Sequence, residues 1–382
     1  MSPVHKLNPS GYRVVLVLQG GGALGAYQAG VFQALHEHQL APDWIVGTSI
    51  GAINAAILAG NEPDKRVARL HEFWDRISHT DSIDLRALSD PQRRSAIQMQ
   101  TWDTLLRGVP GFFTPRPFNP FALGMPVAPE QASFYDTTPL RDTLNQLIDF
   151  DYLNAPGGTR LTVNALKVDS GSLRRFDNRE LTMTADHIRA SGALPPGFPP
   201  VRIDGDLYWD GGLYSNTPLE TVLDDPEKVD TLCFMVDLWS ADGEEPGTLD
   251  EVQTRQKDVT FASRSQRHIE DYVAAHQMRQ KLRALYLALP ESARTAESAK
   301  ELAALGCDST LHIVRLPYAG RDWHMASKDI NFSRGSTEWR WNQGYQDGLR
   351  AIQAAGWLSF YSEDTPLVVH ELPPLRPQAG AA

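Results

Sequence analysis

The pentapeptide Gly-Thr-Ser-Ile-Gly at residues 47–51 has the residue types and spacing of a nucleophile turn. An apolar run precedes it and helix-forming residues follow it. A G-x-S-x-G sequence between a buried strand and a helix places its serine, here Ser49, in a strained and exposed turn, and the flanking Gly47 and Gly51 permit close backbone approach. Ser49 is therefore predicted to be a nucleophile, and the N–H of Ile50 is predicted to support an oxyanion.

A second glycine-rich turn, Gly20, Gly21 and Gly22, follows an apolar run at residues 12–18 and precedes a stretch of helix formers. Free N–H groups and the positive end of the helix dipole favour an anion at such a position. Two ligands fit this turn: an oxyanion formed at Ser49, or the pyrophosphate of a dinucleotide.

The dinucleotide hypothesis has some support, because Gly20, Gly22 and Gly25 satisfy G-x-G-x-x-G. It also requires an acidic residue at the end of the second strand to bind a ribose hydroxyl. Asp43 lies at the beginning of that strand instead. This pattern favours the oxyanion.

A serine nucleophile needs a base, and Asp210 in the turn Asp210-Gly211-Gly212 is a candidate. Aspartate is common in turns for structural reasons alone. In a partly desolvated cleft, however, its carboxylate would be basic enough to accept the Ser49 proton.

At these positions the sequence resembles the patatin-like phospholipases, serine lipid acyl hydrolases that use a Ser–Asp dyad without histidine. The resemblance covers about residues 12–220, through 20–25, 47–51, 190–200 and the aspartate turn with Asn216 and Pro218 downstream. It implies Ser49 as nucleophile and Asp210 as base, with Gly211 and Gly212 in the base motif. It also implies an oxyanion hole at Gly20, Gly21, Gly22 and Ile50, a lipid or other acyl-ester substrate, and neither metal nor cofactor.

Two further features bear on this resemblance. Many family members have Arg or Lys where this chain has Leu24, so oxyanion stabilisation is left to backbone N–H groups. Phe332-Ser333 and the predicted helix from Trp339 to Gly348 resemble parts of a C-terminal domain of unknown role on a bacterial branch of the family.

The elements that must position these residues repeat as strand, glycine turn and helix, which is typical of a parallel sheet flanked by helices. The predicted fold is an α/β three-layer α/β/α sandwich with a mainly parallel central sheet. We predict a catalytic domain at 12–238, in which the irregular, Phe- and Pro-rich segment 80–140 is a lid candidate. A mostly helical extension at 250–360 and disordered tails at 1–11 and 373–382 complete the chain.

Composition narrows the partners. The 382 residues carry a net charge of −11, which disfavours broad binding to nucleic acid or anionic membrane. No apolar run is long enough to span a bilayer, and two cysteines, Cys233 and Cys307, cannot form a disulfide framework. We expect a cytoplasmic protein that contacts a membrane surface transiently, of undetermined oligomeric state.

Three other functions remain open on the sequence alone. His324 follows a late strand, where a Ser–His–Asp esterase would place its base. The second is the nucleotide-binding oxidoreductase of the dinucleotide hypothesis. The third is a lipid-binding protein that keeps the fold without the chemistry.

Overall fold

The computed structural model describes residues 11–80, 90–117, 124–227, 229–262, 265–306, 309–320, 326–354 and 367–372. Residues 1–10 of the predicted tail 1–11, the predicted tail 373–382 and His324 lie outside these residues.

A mainly parallel sheet forms the centre of the molecule. Its strands are β1 (Arg13–Leu18), β2 (Trp44–Gly47), β5 (Arg160–Lys167), β6 (Leu173–Asp177), β7 (Val201–Ile203), β8 (Asp206–Asp210), β9 (Thr231–Asp237), β10 (Leu311–Pro317) and β11 (Leu367–Glu371), and β3 (Thr114–Pro115) and β4 (Tyr135–Asp136) form a separate ribbon. The order in the sheet is β11-β10-β9-β1-β2-β5-β8-β7, with β6 also paired to β5. The strands from β11 to β5 are parallel, whereas β6, β7 and β8 pair antiparallel.

Helices cover both faces of this sheet. They are α1 (Gly25–Glu37), α2 (Ile50–Ala59), α3 (Arg66–Arg76), α4 (Asp90–Arg107), α5 (Thr138–Leu147), α6 (Phe150–Asn154), α7 (Ala185–Ser191), α8 (Leu219–Leu223), α9 (Leu249–Ala262), α10 (Ser265–Ala288), α11 (Glu291–Arg294), α12 (Glu297–Leu305) and α13 (Arg334–Gln353). The side chains of strand β1 alternate between the two faces of the sheet, so helices must pack on both faces to bury them. Leu16 and Leu18 pack in a core with α1 and α2, whereas Val15 and Val17 pack against α8 and α10. The predicted α/β/α sandwich is confirmed.

The chain after β9 completes the same core. Strands β10 and β11 extend the sheet beyond β9, and α13 packs along α1. Two glycines allow the helices to approach, since a Cβ on Gly30 would lie 1.9 Å from Trp341 O and one on Gly344 would lie 2.0 Å from Tyr27 O. The Tyr27 hydroxyl also donates a buried hydrogen bond to Asp347 (3.0 Å).

The segment predicted to be irregular, 80–140, contains the 18-residue helix α4, so that part of the prediction is wrong. Residues 81–89 and 118–123 lie outside the described residues. The helix was missed because its apolar residues do not gather on one face: the buried side holds Ile97 with Thr101 and Thr104, whereas Met99, Trp102 and Leu106 are exposed. Such a helix shows no ordinary apolar face in the sequence.

Within the described ranges, no helix combines the length and the apolar character needed to cross a membrane.

Candidate active site

Ser49 lies in a strained turn between β2 and α2. Its backbone has φ 57° and ψ −124°, a left-handed conformation that non-glycine residues rarely adopt. Its N–H donates to the backbone oxygen and to Oγ of Ser191, both at 3.1 Å. Both flanking glycines are required sterically, because a Cβ on Gly47 would lie 2.4 Å from Gly51 O and one on Gly51 would lie 2.3 Å from Leu18 O. Together these contacts hold the Ser49 hydroxyl toward the adjoining cavity.

Asp210 ends β8 beside this turn and is buried. Its Oδ1 accepts a hydrogen bond from the N–H of Gly212 (2.7 Å), and the Ser49 hydroxyl lies near enough to stabilise the ionised carboxylate. Burial raises the pKa of Asp210 to about 7, and the interactions with the Gly212 N–H and the Ser49 hydroxyl only partly oppose that rise. Gly211 is needed because a Cβ there would lie 2.4 Å from Asn164 O. Serine and aspartate, separated by 161 positions in the sequence, are therefore neighbours in one site.

The glycine-rich turn faces the same cavity. Gly20 cannot be an oxyanion donor as predicted, because its N–H donates to Asn216 O (3.1 Å). In the part of the chain that the structure describes, the N–H groups of Gly21, Gly22 and Ile50 have no acceptor. These three donors are therefore available to an anion at Ser49.

Two buried amide side chains hold the glycine-rich turn. Gln19 Oε1 accepts from the N–H of Trp239 (2.9 Å), and its Nε2 donates to Thr217 (2.7 Å). Asn216 Nδ2 donates to the backbone oxygens of Gly20 and Phe261, both at 3.1 Å. Sequence reasoning missed Gln19, although a polar residue at the end of an apolar strand is a signal that the side chain has a buried partner.

The cavity beside Ser49 has a volume of about 280 Å³ and a largely apolar wall. Its aromatic members are Phe112, Phe113, Tyr135, Phe198, Trp239, Phe261 and Phe332. The ring of Phe198 lies 5.1 Å from that of Phe113, and Phe112 lies 5.8 Å from Phe332. Segment 80–140 thus contributes part of the wall. An apolar chain attached to a reacting carbonyl would fit against these rings.

Other chemistries find less support at this site. No group of three His, Cys, Asp or Glu side chains within the described residues is placed to hold a metal ion. Asp43 accepts a hydrogen bond from Val14 N (2.8 Å) beside the first residue of β2, far along the strand from Ser49. Leu24 is fully buried in the core.

Fold and site together define an α/β/α sandwich in which a serine and a buried aspartate line one apolar cavity. The sequence profile of the patatin-like phospholipases matches residues 16–223, and a profile described as patatin phospholipase matches residues 259–364. The chain belongs to the patatin-like phospholipase family, as the sequence resemblance indicated. The dinucleotide hypothesis is thereby left without support.

Individual relatives match only part of this chain. Lysophospholipase NTE1 of Candida glabrata is 30% identical over 239 residues, which cover 62% of this chain and 11% of that protein. Mouse patatin-like phospholipase domain-containing protein 6 is 27% identical over 212 residues, or 55% of this chain and 12% of that protein. The chain thus spans about a tenth of the length of these relatives. The crystal structure of VipD from Legionella pneumophila gives a TM-score of 0.39 at 14% identity, covering 91% of this chain and 67% of that one.

Proposed function

We propose that the protein hydrolyses lipid acyl esters through a Ser49–Asp210 dyad and an acyl-enzyme intermediate. One observation carries the proposal: Ser49 and the buried carboxylate of Asp210 line the same apolar cavity, close enough for the hydroxyl to stabilise the ionised carboxylate. A raised pKa makes that carboxylate a stronger base than an exposed aspartate. Membership of a phospholipase family supports a lipid substrate.

Acylation begins when Asp210 accepts the Ser49 proton while Oγ attacks the ester carbonyl. The carbonyl oxygen becomes an oxyanion, which the N–H groups of Gly21, Gly22 and Ile50 stabilise by hydrogen bonds. Protonated Asp210 then returns its proton to the departing alcohol oxygen. The acyl group remains on Ser49 as an ester.

Deacylation repeats these steps with water. Ionised Asp210 takes a proton from a water molecule, whose oxygen attacks the acyl carbonyl. The same N–H groups hold the second oxyanion, and its collapse returns the proton to Ser49 and releases the fatty acid. In this mechanism the carboxyl group of Asp210 performs every proton transfer.

A fluorophosphonate probe tests the proposal directly, because it phosphonylates an activated serine. We expect one adduct per chain, mapped to Ser49 by peptide mass spectrometry, and release of fatty acid from a panel of phospholipids, lysophospholipids and neutral glycerides. A chain that binds these lipids but neither labels nor hydrolyses them would instead be a lipid-binding protein.

Phe198 is expected to limit acyl-chain length. Phe198→Ala should move the optimum of kcat/KM to longer p-nitrophenyl esters, because removing the ring deepens the apolar cavity and each additional buried methylene contributes about 0.8 kcal/mol, roughly fourfold. Kinetics with C4 to C16 esters measure the shift. Phe176→Ala is the matched control, since Phe176 is a buried ring that lies against Tyr208 (5.2 Å) and does not line the cavity. An unchanged chain-length optimum in Phe198→Ala would contradict the acyl-pocket assignment.

We further propose that helix α4 makes the contact with a lipid surface. The α4 stripe consists of Met99, Trp102 and Leu106, which are 74%, 63% and 71% exposed. Thr104 and Leu105 of the same helix line the cavity, so the stripe adjoins the site where the acyl chain would enter. Burying such side chains in lipid would contribute about 1.5–3 kcal/mol each. The net charge of −11 favours a zwitterionic over an anionic surface.

The double variant Met99→Ser/Leu106→Ser should lose flotation with phosphatidylcholine vesicles and hydrolysis of vesicle lipid, while hydrolysis of a soluble butyrate ester stays within about twofold. Met278→Ser/Leu285→Ser is a matched control. It removes the same residue types at the same spacing on α10, where each side chain is 66% exposed. Equal losses in both variants, or none in the α4 variant, would contradict the assignment.

A further inference from the structure

We propose that the C-terminal region forms part of the catalytic machinery, with Arg340 as the residue that positions the glycine-rich turn. This inference rests on the proposed hydrolysis at Ser49. It assigns a role to the segment of residues 259–364, which supplies neither the nucleophile nor the base.

Arg340 is 0% exposed and lies on α13, far in sequence from the nucleophile. Its guanidinium donates to Ala23 O (3.1 Å), Asn331 O (3.0 Å) and Lys328 O (2.8 Å). A buried cation must be hydrogen-bonded, so these contacts fix where the carbonyls stand. Because Ala23 directly follows Gly22, one guanidinium joins the glycine-rich turn to the C-terminal turn Lys328–Ile330.

The backbone of the C-terminal turn lies in direct contact with the backbone of the glycine-rich turn. A Cβ on Gly22 would lie 2.2 Å from Asp329 O, and Gly22 has φ 55°. Only glycine fits this contact, so the position of Asp329 limits where the backbone of Gly22 lies. The direction of the Gly22 N–H, a proposed oxyanion donor, follows from that position.

Helix α9 holds the C-terminal turn from another side. Lys257 Nζ pairs with Asp329 (2.8 Å), and Lys328 Nζ pairs with Asp258 (2.6 Å). All four side chains are at least partly buried, which reduces solvent screening of both pairs. Helices α9 and α13 therefore both hold the Lys328–Ile330 turn in its position against Gly22.

Loss of Arg340 should weaken transition-state stabilisation more than substrate binding. A displacement of about 1 Å in a catalytic group can cost about 10²-fold in rate, whereas the aromatic wall that binds an acyl chain keeps its side chains. The expected signature is a fall in kcat with little change in KM.

Full-length Arg340→Met is expected to reduce kcat on a soluble butyrate ester by about 10–100-fold, with KM within about threefold. The rate of fluorophosphonate labelling should fall in parallel, and Arg340→Lys should restore part of both. Rates are expressed per labelled chain at the end point, so unfolded molecules are not counted. Hydrogen exchange of the peptide containing residues 20–24 should also accelerate.

Tyr27→Phe is the control for a purely structural effect, because it removes a buried α1–α13 hydrogen bond that ends on Asp347. It should lower the melting temperature and leave kcat per labelled chain unchanged.

If Arg340→Met does not fold, Lys257→Met, which removes the ion pair to Asp329, should show a smaller fall in kcat and faster exchange of the same peptide. Wild-type kcat and exchange in either folded variant, or an equal effect of Tyr27→Phe, would overturn the inference. A wild-type protein that does not label would refute the proposed hydrolase, and hydrogen exchange would still decide the role of Arg340.

Discussion

Ser49→Ala is expected to abolish fluorophosphonate labelling and to reduce ester hydrolysis by roughly 10⁶-fold, the scale that loss of a nucleophilic serine produces. The reason is geometric. The turn at φ 57° presents Oγ to the cavity beside three N–H groups without an acceptor in the described residues, and alanine leaves those donors in place with nothing to attack the carbonyl. Intact-mass spectrometry after labelling and release of fatty acid are the measurements.

Ser215→Ala provides the matched control, since Ser215 is a buried serine whose hydroxyl donates to Thr217 O (3.2 Å) and does not line the cavity. It should label at the wild-type rate. Labelling that survives in Ser49→Ala, or an adduct that maps to another serine, would refute the assignment of Ser49 as the nucleophile.

Much of this site could be predicted because its signals are local. A glycine on each side of Ser49 is a steric requirement of the turn itself, and the apolar run before it is required by burial on both sheet faces. Asp210 is found the same way, since Gly211 is needed for close contact with Asn164 O. Contacts between residues that are close in the sequence require particular residue types, such as glycine. The turns that contain Ser49 and Asp210 could therefore be predicted from the sequence.

Contacts between residues that are far apart in the sequence cannot be recognised in this way. Arg340 is one of many arginines in the sequence, and only the fold shows its hydrogen bond to Ala23 across 317 positions. Gly20 matched the glycine pattern, yet its N–H is used by Asn216. Helix α4 was missed because Met99, Trp102 and Leu106 lie on its exposed side, so its apolar residues do not form the single buried face from which helices are predicted.

Asp210→Asn is expected to keep the fold and reduce kcat by roughly 10²–10⁴-fold, the usual contribution of a general base. The amide is nearly isosteric and its oxygen can still accept from the N–H of Gly212, but it cannot take the Ser49 proton. Steady-state kinetics on a soluble ester measure the loss. Wild-type turnover in the folded variant would show that the Asp210 turn is structural.

The pH dependence of the wild type follows from the same carboxyl group. Burial raises the pKa of Asp210 to about 7, and the base must be ionised, so kcat/KM should fall as the pH drops below about 7. A histidine base would lose activity over nearly the same range, since its ordinary pKa is about 6.5. Burial brings the pKa of Asp210 close to that of a histidine. The fall in kcat/KM at acidic pH therefore does not distinguish the dyad from a Ser–His–Asp triad. The separation depends on the variants: His324→Ala should retain most activity, whereas a loss of about a thousandfold there, with a milder Asp210→Asn, would favour the triad.

The pH dependence of the melting temperature provides a second test of Asp210→Asn, with a result that an aspartate of purely structural role would not produce. The pKa of the carboxyl rises from an ordinary 3.8 to about 7 on folding, so between these pH values the folded protein holds a proton that the unfolded chain releases. Wild-type stability is therefore lost as the pH rises from about 4 through 7, and the full cost of burying the carboxylate is present above 7. Asparagine carries no charge and avoids that cost. Asp210→Asn should melt at a higher temperature than the wild type at pH 8, by an amount that corresponds to a few kcal/mol, and the difference should shrink at pH 5. A gap that does not change with pH would mean that the carboxylate is solvated and is not the desolvated base that the dyad requires.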